Sequence, residues 1–153
     1  MSVRERLVDY SYGNNLRRFW RLFRQRERAA RKWKVHFLTF LINRSAHRHG
    51  GYIGNGVVID GIPHLPHGIH GVYISRYAHI GADCWIYQNV TIGEVGHKAP
   101  RIGNRCLIGA NASIVGNITI GDDVKIGAGA VVAFDVPSGC TVIAQPPRVL
   151  QRG

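Results

Sequence analysis

From Ile74 onward an aliphatic residue returns every six positions, and this period constrains the fold more than any other feature of the chain. The series runs Ile74, Ile80, Ile86, Ile92, breaks for nine residues, and resumes as Ile102, Ile108, Ile114, Ile120, Ile126 and Val132. Four places after each, the residue is small or apolar wherever the repeat is intact: Ala78, Cys84, Val90, Cys106, Ala112, Ile118, Val124, Ala130 and Val136. Gly follows the aliphatic residue at 81, 93, 103, 109, 121 and 127. Helices repeat at 3.6 residues and strands at 2, so neither yields six. A coil of three short flat faces does: each hexapeptide makes one face and one corner, and three close a triangular turn. Stacked turns bury a continuous aliphatic column while each backbone group pairs with the turn above or below. Cys84 and Cys106 fall at inward positions and read as small core residues.

The 153 residues, 45% hydrophobic, suffice for one such domain and a short appendage. Charge divides the chain. Residues 1–50 carry thirteen Lys and Arg against three Asp and Glu, leaving seven against six for the remainder. The net charge of +11 thus belongs almost wholly to the N-terminal segment, which is not the distribution of a uniformly basic nucleic-acid-binding domain. Three widely spaced cysteines, 84, 106 and 140, form neither a disulfide framework nor a zinc pattern. The longest nearly apolar run, Val35 to Ile42, is far short of the roughly 20 residues that span a bilayer. With no secretory signal pattern at the N-terminus, the expectation is a cytoplasmic protein, with a peripheral seat on the inner face of the membrane as an option.

Asn14 to about Arg44 contains no Pro or Gly and reads as one or two helices. Leu16, Phe19, Trp20 and Phe23 recur at helical spacing with Arg17, Arg18, Arg21 and Arg24 beside them, so one face is apolar and the rest cationic. Such a helix either packs on its own trimer or on the end of the main domain, or it lies on anionic lipid, giving a peripheral membrane contact through residues 14–44. The expected organisation is a basic helical segment over 1–50, the repeat domain over 51–140 and a tail over 141–153.

Two breaks interrupt the repeat. Ile53, Val57 and Ile59 keep the period in a different phase from Ile74, so the register slips within Gly61 to Gly71, the segment that holds His64, His67 and His70 with two prolines. A break in a solenoid takes side chains out of the stack and offers them to a surface. Three histidines at i, i+3 and i+6 also suggest a metal, but no carboxylate or Cys accompanies them at ligand spacing, and no metal is expected. The second break, Glu94 to Arg101, protrudes between intact coils and carries His97, Lys98 and Arg101, which suit an anionic or polar ligand.

The stretches PHGIHGVYIS, IGADCWIYQNVTIG, KAPRIG, IGANASIVGNITIGDDVKIGAGAVV, DVP and PPRV resemble the hexapeptide-repeat acyltransferases, in particular the serine O-acetyltransferase group and its relatives in exopolysaccharide synthesis. The resemblance covers about Ile53 to Val149 and implies an all-β fold, a left-handed parallel β-helix, here preceded by the short basic α-helical segment. It implies His67 as general base for direct acetyl transfer to a hydroxyl, with His70 as the alternative imidazole. It implies acetyl-CoA in a groove between subunits of a homotrimer, contacted by Gly93, Gly109, Ala110 and Ala128, with Lys125 facing its phosphates and Arg148 serving the nucleotide. His64, His97 and Lys98 are candidates for binding a small-molecule or glycan acceptor. The chain also departs from the group. Where serine acetyltransferases carry an acid fifteen places before the catalytic His, Tyr52 stands; where they carry one directly before it, Pro66 stands; and their Arg-His pair in the loop is Lys98-Ala99 here. Asp60 is the only nearby carboxylate to orient His67. The rival readings are a sugar or exopolysaccharide O-acetyltransferase, a non-catalytic trimeric β-helix, and a zinc enzyme of the same fold. No nucleic-acid partner is expected.

Overall fold

A computed structural model describes residues 16–145; Arg148, and any role for it, lies outside them. Among the described residues two helices, α1 (Arg17–Glu27) and α2 (Lys32–Arg48), precede thirteen short strands. α2 stops where the sequence turns to glycine. Gly50 takes φ +66°, its N–H bonds to His47 O at 3.1 Å, and the Gly51 N–H reaches back to Ala46 O at 3.2 Å, satisfying the last carbonyls of the helix.

The strands are two or three residues long and wind into the expected parallel β-helix. Face A stacks β1 (Tyr52–Ile53), β3 (Tyr73–Ile74), β6 (Thr91–Gly93), β9 (Ser113–Val115) and β12 (Val131–Val132). Face B stacks β2 (Val58–Ile59), β4 (His79–Ile80), β7 (Arg101–Ile102) and β10 (Thr119–Ile120). Face C stacks β5 (Trp85–Ile86), β8 (Leu107–Ile108), β11 (Lys125–Ile126) and β13 (Thr141–Val142). In β1 to β12 the aliphatic residue points inward and its predecessor outward, while Val142 in β13 is only partly buried. Ile80, Ile86, Ile108, Ile114 and Ile126 are wholly or almost wholly buried, as are Cys84 and Cys106. Glycine follows the inward residue because coils press together there: a Cβ on Gly81 would stand 2.6 Å from the Gly103 backbone.

Two details differ from the sequence reading. The last coil is two residues short. Val136, expected four places after an inward position, instead pairs with Ile120 on face B and takes an inward position itself. The solenoid also runs past residue 140, since β13 closes face C against β11. For α1 the sequence left two placements open, packing on protein or lying on anionic lipid. Its apolar face of Leu16, Phe19, Trp20 and Phe23 is buried in one core with Ile42, Ala46 and Ile53, and α1 and the residues Ile62, Pro63 and Leu65 line a shared open groove. The rings interlock edge-on, Phe19 and Trp20 with centroids 5.1 Å apart. Of the two placements, the apolar face takes the packed one, at the end of the main domain. Among the described residues no helix is long and apolar enough to cross a membrane.

Candidate active site

Pairing across coils locates the first break to the residue. His64 bridges Trp85 on face C, its N–H bonding to Cys84 O at 2.8 Å while its carbonyl accepts from Ile86 N at 2.9 Å, and Leu65 takes the inward place of that face. At the next corner the chain resumes register through His70, whose carbonyl accepts from Asn89 N at 3.0 Å, just as Gln88 O accepts from Asn111 N and Ala110 O from Gly129 N. His70, Gln88, Ala110 and Ala128 thus form one vertical column along the corner between faces C and A. The surplus is three residues, Pro66-His67-Gly68, looped outward and closed by a Gly68 N–H to Leu65 O bond of 3.0 Å. Gly68 has φ +67°, a conformation in which a side chain would be strained.

His67 is consequently exposed, its ring tilted toward Tyr87 with centroids 6.0 Å apart. Among the described residues no side chain hydrogen-bonds its imidazole. His70 heads the column, and beneath it the corner changes character from Gln88 to Ala110 and Ala128, so that large side chains stop one coil below His67. Gln88 carries a buried side-chain oxygen with no protein partner, a feature that the sequence pattern did not single out. Nor did it single out Tyr87; what marks both is their place directly below the bulge, visible only once the coil register is known. Not every small residue at this corner speaks for a ligand. A Cβ on Gly109 would stand 2.6 Å from Ala128 N, so coil packing alone demands glycine there, whereas Ala128 is exposed.

The remaining candidates spread over the surface. Lys125 points outward on face C, in line with Leu107 and Trp85. His64 is on the same face, stacked on the Trp85 ring at 4.8 Å and 20°. Gly93 lies at the other end of face A, paired with Val115. There the second break folds into a tight hairpin: Val95 and Lys98 exchange two backbone bonds, and Gly96 and His97 between them have φ +57° and +62°. The hairpin is pinned to the preceding coil by a hydrogen bond from Ser75 Oγ to Glu94 and by His97 edge-on to Tyr77 at 5.5 Å. His97 and Lys98 are thus held on the edge of face A opposite His67.

Asp60 does not serve His67. Its carboxylate accepts from His79 Nε2 at 2.9 Å on face B, and Arg101 approaches the other ring nitrogen of His79 at 3.1 Å. The physical reason is register: one coil here contains 21 residues, so Asp60 stands beside the outward residue of the strand stacked on β2. Asp60 and Arg101 both belong to that face-B ladder, away from the bulge. Cys84 and Cys106 donate to the carbonyls of Gly103 and Gly121 at 3.2 and 3.1 Å, and the neighbouring Cys106 together with burial pushes the Cys84 thiol up. Both thiols are wholly buried in the column, where they serve as core residues. Among the described residues no three His, Cys, Asp or Glu side chains stand together as a metal set.

Residues 99–133 match the bacterial transferase hexapeptide family (six repeats). The serine acetyltransferase of Synechococcus elongatus is 45% identical over 107 residues, covering 67% of this chain and 41% of that protein. That of Bacillus subtilis is 38% identical over 124 residues, covering 78% and 57%. Among solved structures, Neisseria gonorrhoeae serine acetyltransferase in complex with serine superposes with a TM-score of 0.74 at 34% identity, covering 86% of this chain and 55% of that one. Entamoeba histolytica serine acetyltransferase isoform 3 in complex with cysteine gives 0.68 at 33%, covering 77% and 44%. The chain spans about half the length of the curated relatives that it matches.

Proposed function

Because the chain carries a hexapeptide-repeat domain of the serine acetyltransferase type, we propose that it transfers the acetyl group of acetyl-CoA to a hydroxyl, with His67 as general base. One observation carries this reading. The three surplus residues lift His67 out of the coil at the head of a corner that narrows to Ala110 and Ala128. An extended pantetheine arm laid along those alanines brings its thioester up to the imidazole. The imidazole accepts the hydroxyl proton as the oxygen attacks the thioester carbonyl; a carbon–oxygen bond forms, and the carbon–sulfur bond then breaks. The departing thiolate takes the proton back from the imidazolium. A backbone N–H at a coil corner steadies the oxyanion.

The placement of the other residues supports a homotrimer. Gly93, His97 and Lys98 occupy one edge of face A, while His67, Ala110 and Ala128 occupy the other. A single ligand reaches both sets when the corner of one subunit meets the hairpin edge of its neighbour, and cyclic assembly makes every such junction equivalent. Lys125, outward beside the same corner, suits the phosphates of the coenzyme.

Serine is the acceptor favoured by the relatives. A second reading, a sugar hydroxyl, draws on Tyr52 and Tyr73. These exposed rings are paired in register on face A between the two edges, and Tyr52 stands where serine acetyltransferases carry an acid. Steady-state transfer assays with serine and with a sugar panel separate the two. His67→Ala should lower kcat/KM by about 10²- to 10⁴-fold with coenzyme A binding and oligomeric state unchanged. If the parent chain binds no coenzyme A, the reading falls in favour of a non-catalytic β-helix.

A further inference from the structure

α2 is apolar on two opposite faces, and the coil uses only one. Leu38, Ile42 and Ala46, at i, i+4 and i+8, are buried, and Ile42 and Ala46 share one core with α1 and the solenoid. Trp33, Phe37 and Phe40, at i, i+4 and i+7, lie about half a turn away around the helix, and they are 65%, 55% and 61% exposed. Three large rings in a row on the outside of a helix are more than scattered surface hydrophobics. Around them the surface is cationic: Arg28, Arg31, Lys32 and Lys34 fall within seven residues, all exposed, and Arg44 lies one turn beyond Phe40 in the same stripe.

We propose that this face of α2 seats the protein on an anionic lipid surface, with Trp33, Phe37 and Phe40 entering the headgroup boundary and the flanking Arg and Lys side chains holding anionic headgroups. Charge decides the occupant. Between residues 16 and 50 there are eleven Lys and Arg against Glu27 alone, so two copies of this face would bring like charges together. The rest of the chain, with nine cations and eight anions, has no acidic excess for a neighbouring subunit to offer. An anionic bilayer supplies both requirements, an apolar layer for the rings and negative charge at its rim. The inference is independent of acetyl transfer and differs from a membrane contact through α1, whose apolar face is already buried.

The test is co-sedimentation of the full chain with vesicles of phosphatidylcholine alone or with phosphatidylglycerol added. The parent is expected to pellet with the anionic vesicles only, less so as salt rises, and the emission difference between the parent and Trp33→Phe should shift to the blue on binding. Trp33→Ser/Phe37→Ser/Phe40→Ser should partition about tenfold or more weakly while its circular-dichroism melt is unchanged. Should that variant fold poorly, Lys32→Glu/Lys34→Glu leaves the rings in place and should abolish the preference for phosphatidylglycerol. Equal partitioning of parent and both variants overturns the proposal, as does a parent that ignores the anionic vesicles. A parent that sediments alone as an assembly larger than the triple variant overturns it too, showing that a second copy covers the face.

Discussion

The two breaks in the repeat are built in opposite ways. The bulge Pro66–Gly68 presents an imidazole with no hydrogen-bond partner among the described residues, above a corner of small residues. The hairpin Glu94–Pro100 is closed by two backbone bonds and fastened to the coil through Ser75 and Tyr77. An anchored loop holds shape, while an unpartnered imidazole is available for chemistry. The solenoid places them on opposite edges of one face, so in the proposed trimer each would be half of an arrangement that adjacent subunits complete.

The largest expected effect comes from erasing the first break. Deleting Pro66-His67-Gly68 leaves Leu65 and Ile74 six positions apart, and Gly71 three after Leu65, as Asn89 is after Ile86. The coil should therefore close, with a thermal midpoint within about 5 °C of the parent, while acetyl transfer falls at least as far as in His67→Ala, about 10²- to 10⁴-fold. A deleted chain that still transfers acetyl groups would remove the bulge from the mechanism.

Erasing the function of the second break should cost less. His97→Ala/Lys98→Ala leaves the hairpin backbone intact and is expected to lower kcat/KM about tenfold or more, chiefly through the KM of the acceptor. Co-assembly sharpens the comparison. If the two edges meet between subunits, each mixed trimer of this variant with His67→Ala contains one junction at which both sides are intact. Random mixing then returns about a quarter of parental activity. No recovery above the two variants alone would mean that the hairpin and the bulge do not share a site.

How far the sequence spoke for itself varies with distance along the coil. The inward series, the buried cysteines and the existence of both breaks are legible because each depends on residues six apart or closer. Which histidine leaves the stack is not, since Leu65 and Ile69 are both plausible continuations of the series; only the bond from Asn89 N to His70 O decides that the surplus is Pro66 to Gly68. The partner of Asp60 is hidden for a similar reason. His79 is nineteen residues away, a neighbour only after a coil lengthened by the bulge is counted correctly. The second apolar face of α2 is not legible because Trp33, Phe37 and Phe40 are interleaved with Leu38 and Ile42, and periodicity alone does not say which stripe faces inward.

Two smaller effects test which small residues serve the ligand and which serve the coil. Ala128→Leu places a larger side chain on an exposed corner, and should raise the KM for acetyl-CoA about tenfold with the thermal midpoint unchanged. Gly109→Ala should do the reverse, because its Cβ would stand 2.6 Å from Ala128 N. It is expected to cost about 1–3 kcal/mol of stability by overpacking, read from chemical denaturation, with KM little altered. If both variants behaved alike, ligand and coil would impose one and the same constraint on this corner.

The smallest effect lies at the seam between the helices and the first break. His49, the last residue before the glycine pair that ends α2, has its pKa lowered below the ordinary histidine value by burial and, secondarily, by the neighbouring His70. The unfolded chain therefore binds a proton near pH 6.5 that the folded chain resists, and stability falls as pH drops through that value and is complete above it. His49→Gln should flatten the dependence of the thermal midpoint on pH between about 5 and 7, with no change at pH 8. His70→Asn should flatten it only in part, since it removes the lesser cause and leaves the burial. Equal slopes in parent and His49→Gln would show that the seam does not titrate, and that the helices and the His67 bulge are joined by packing alone.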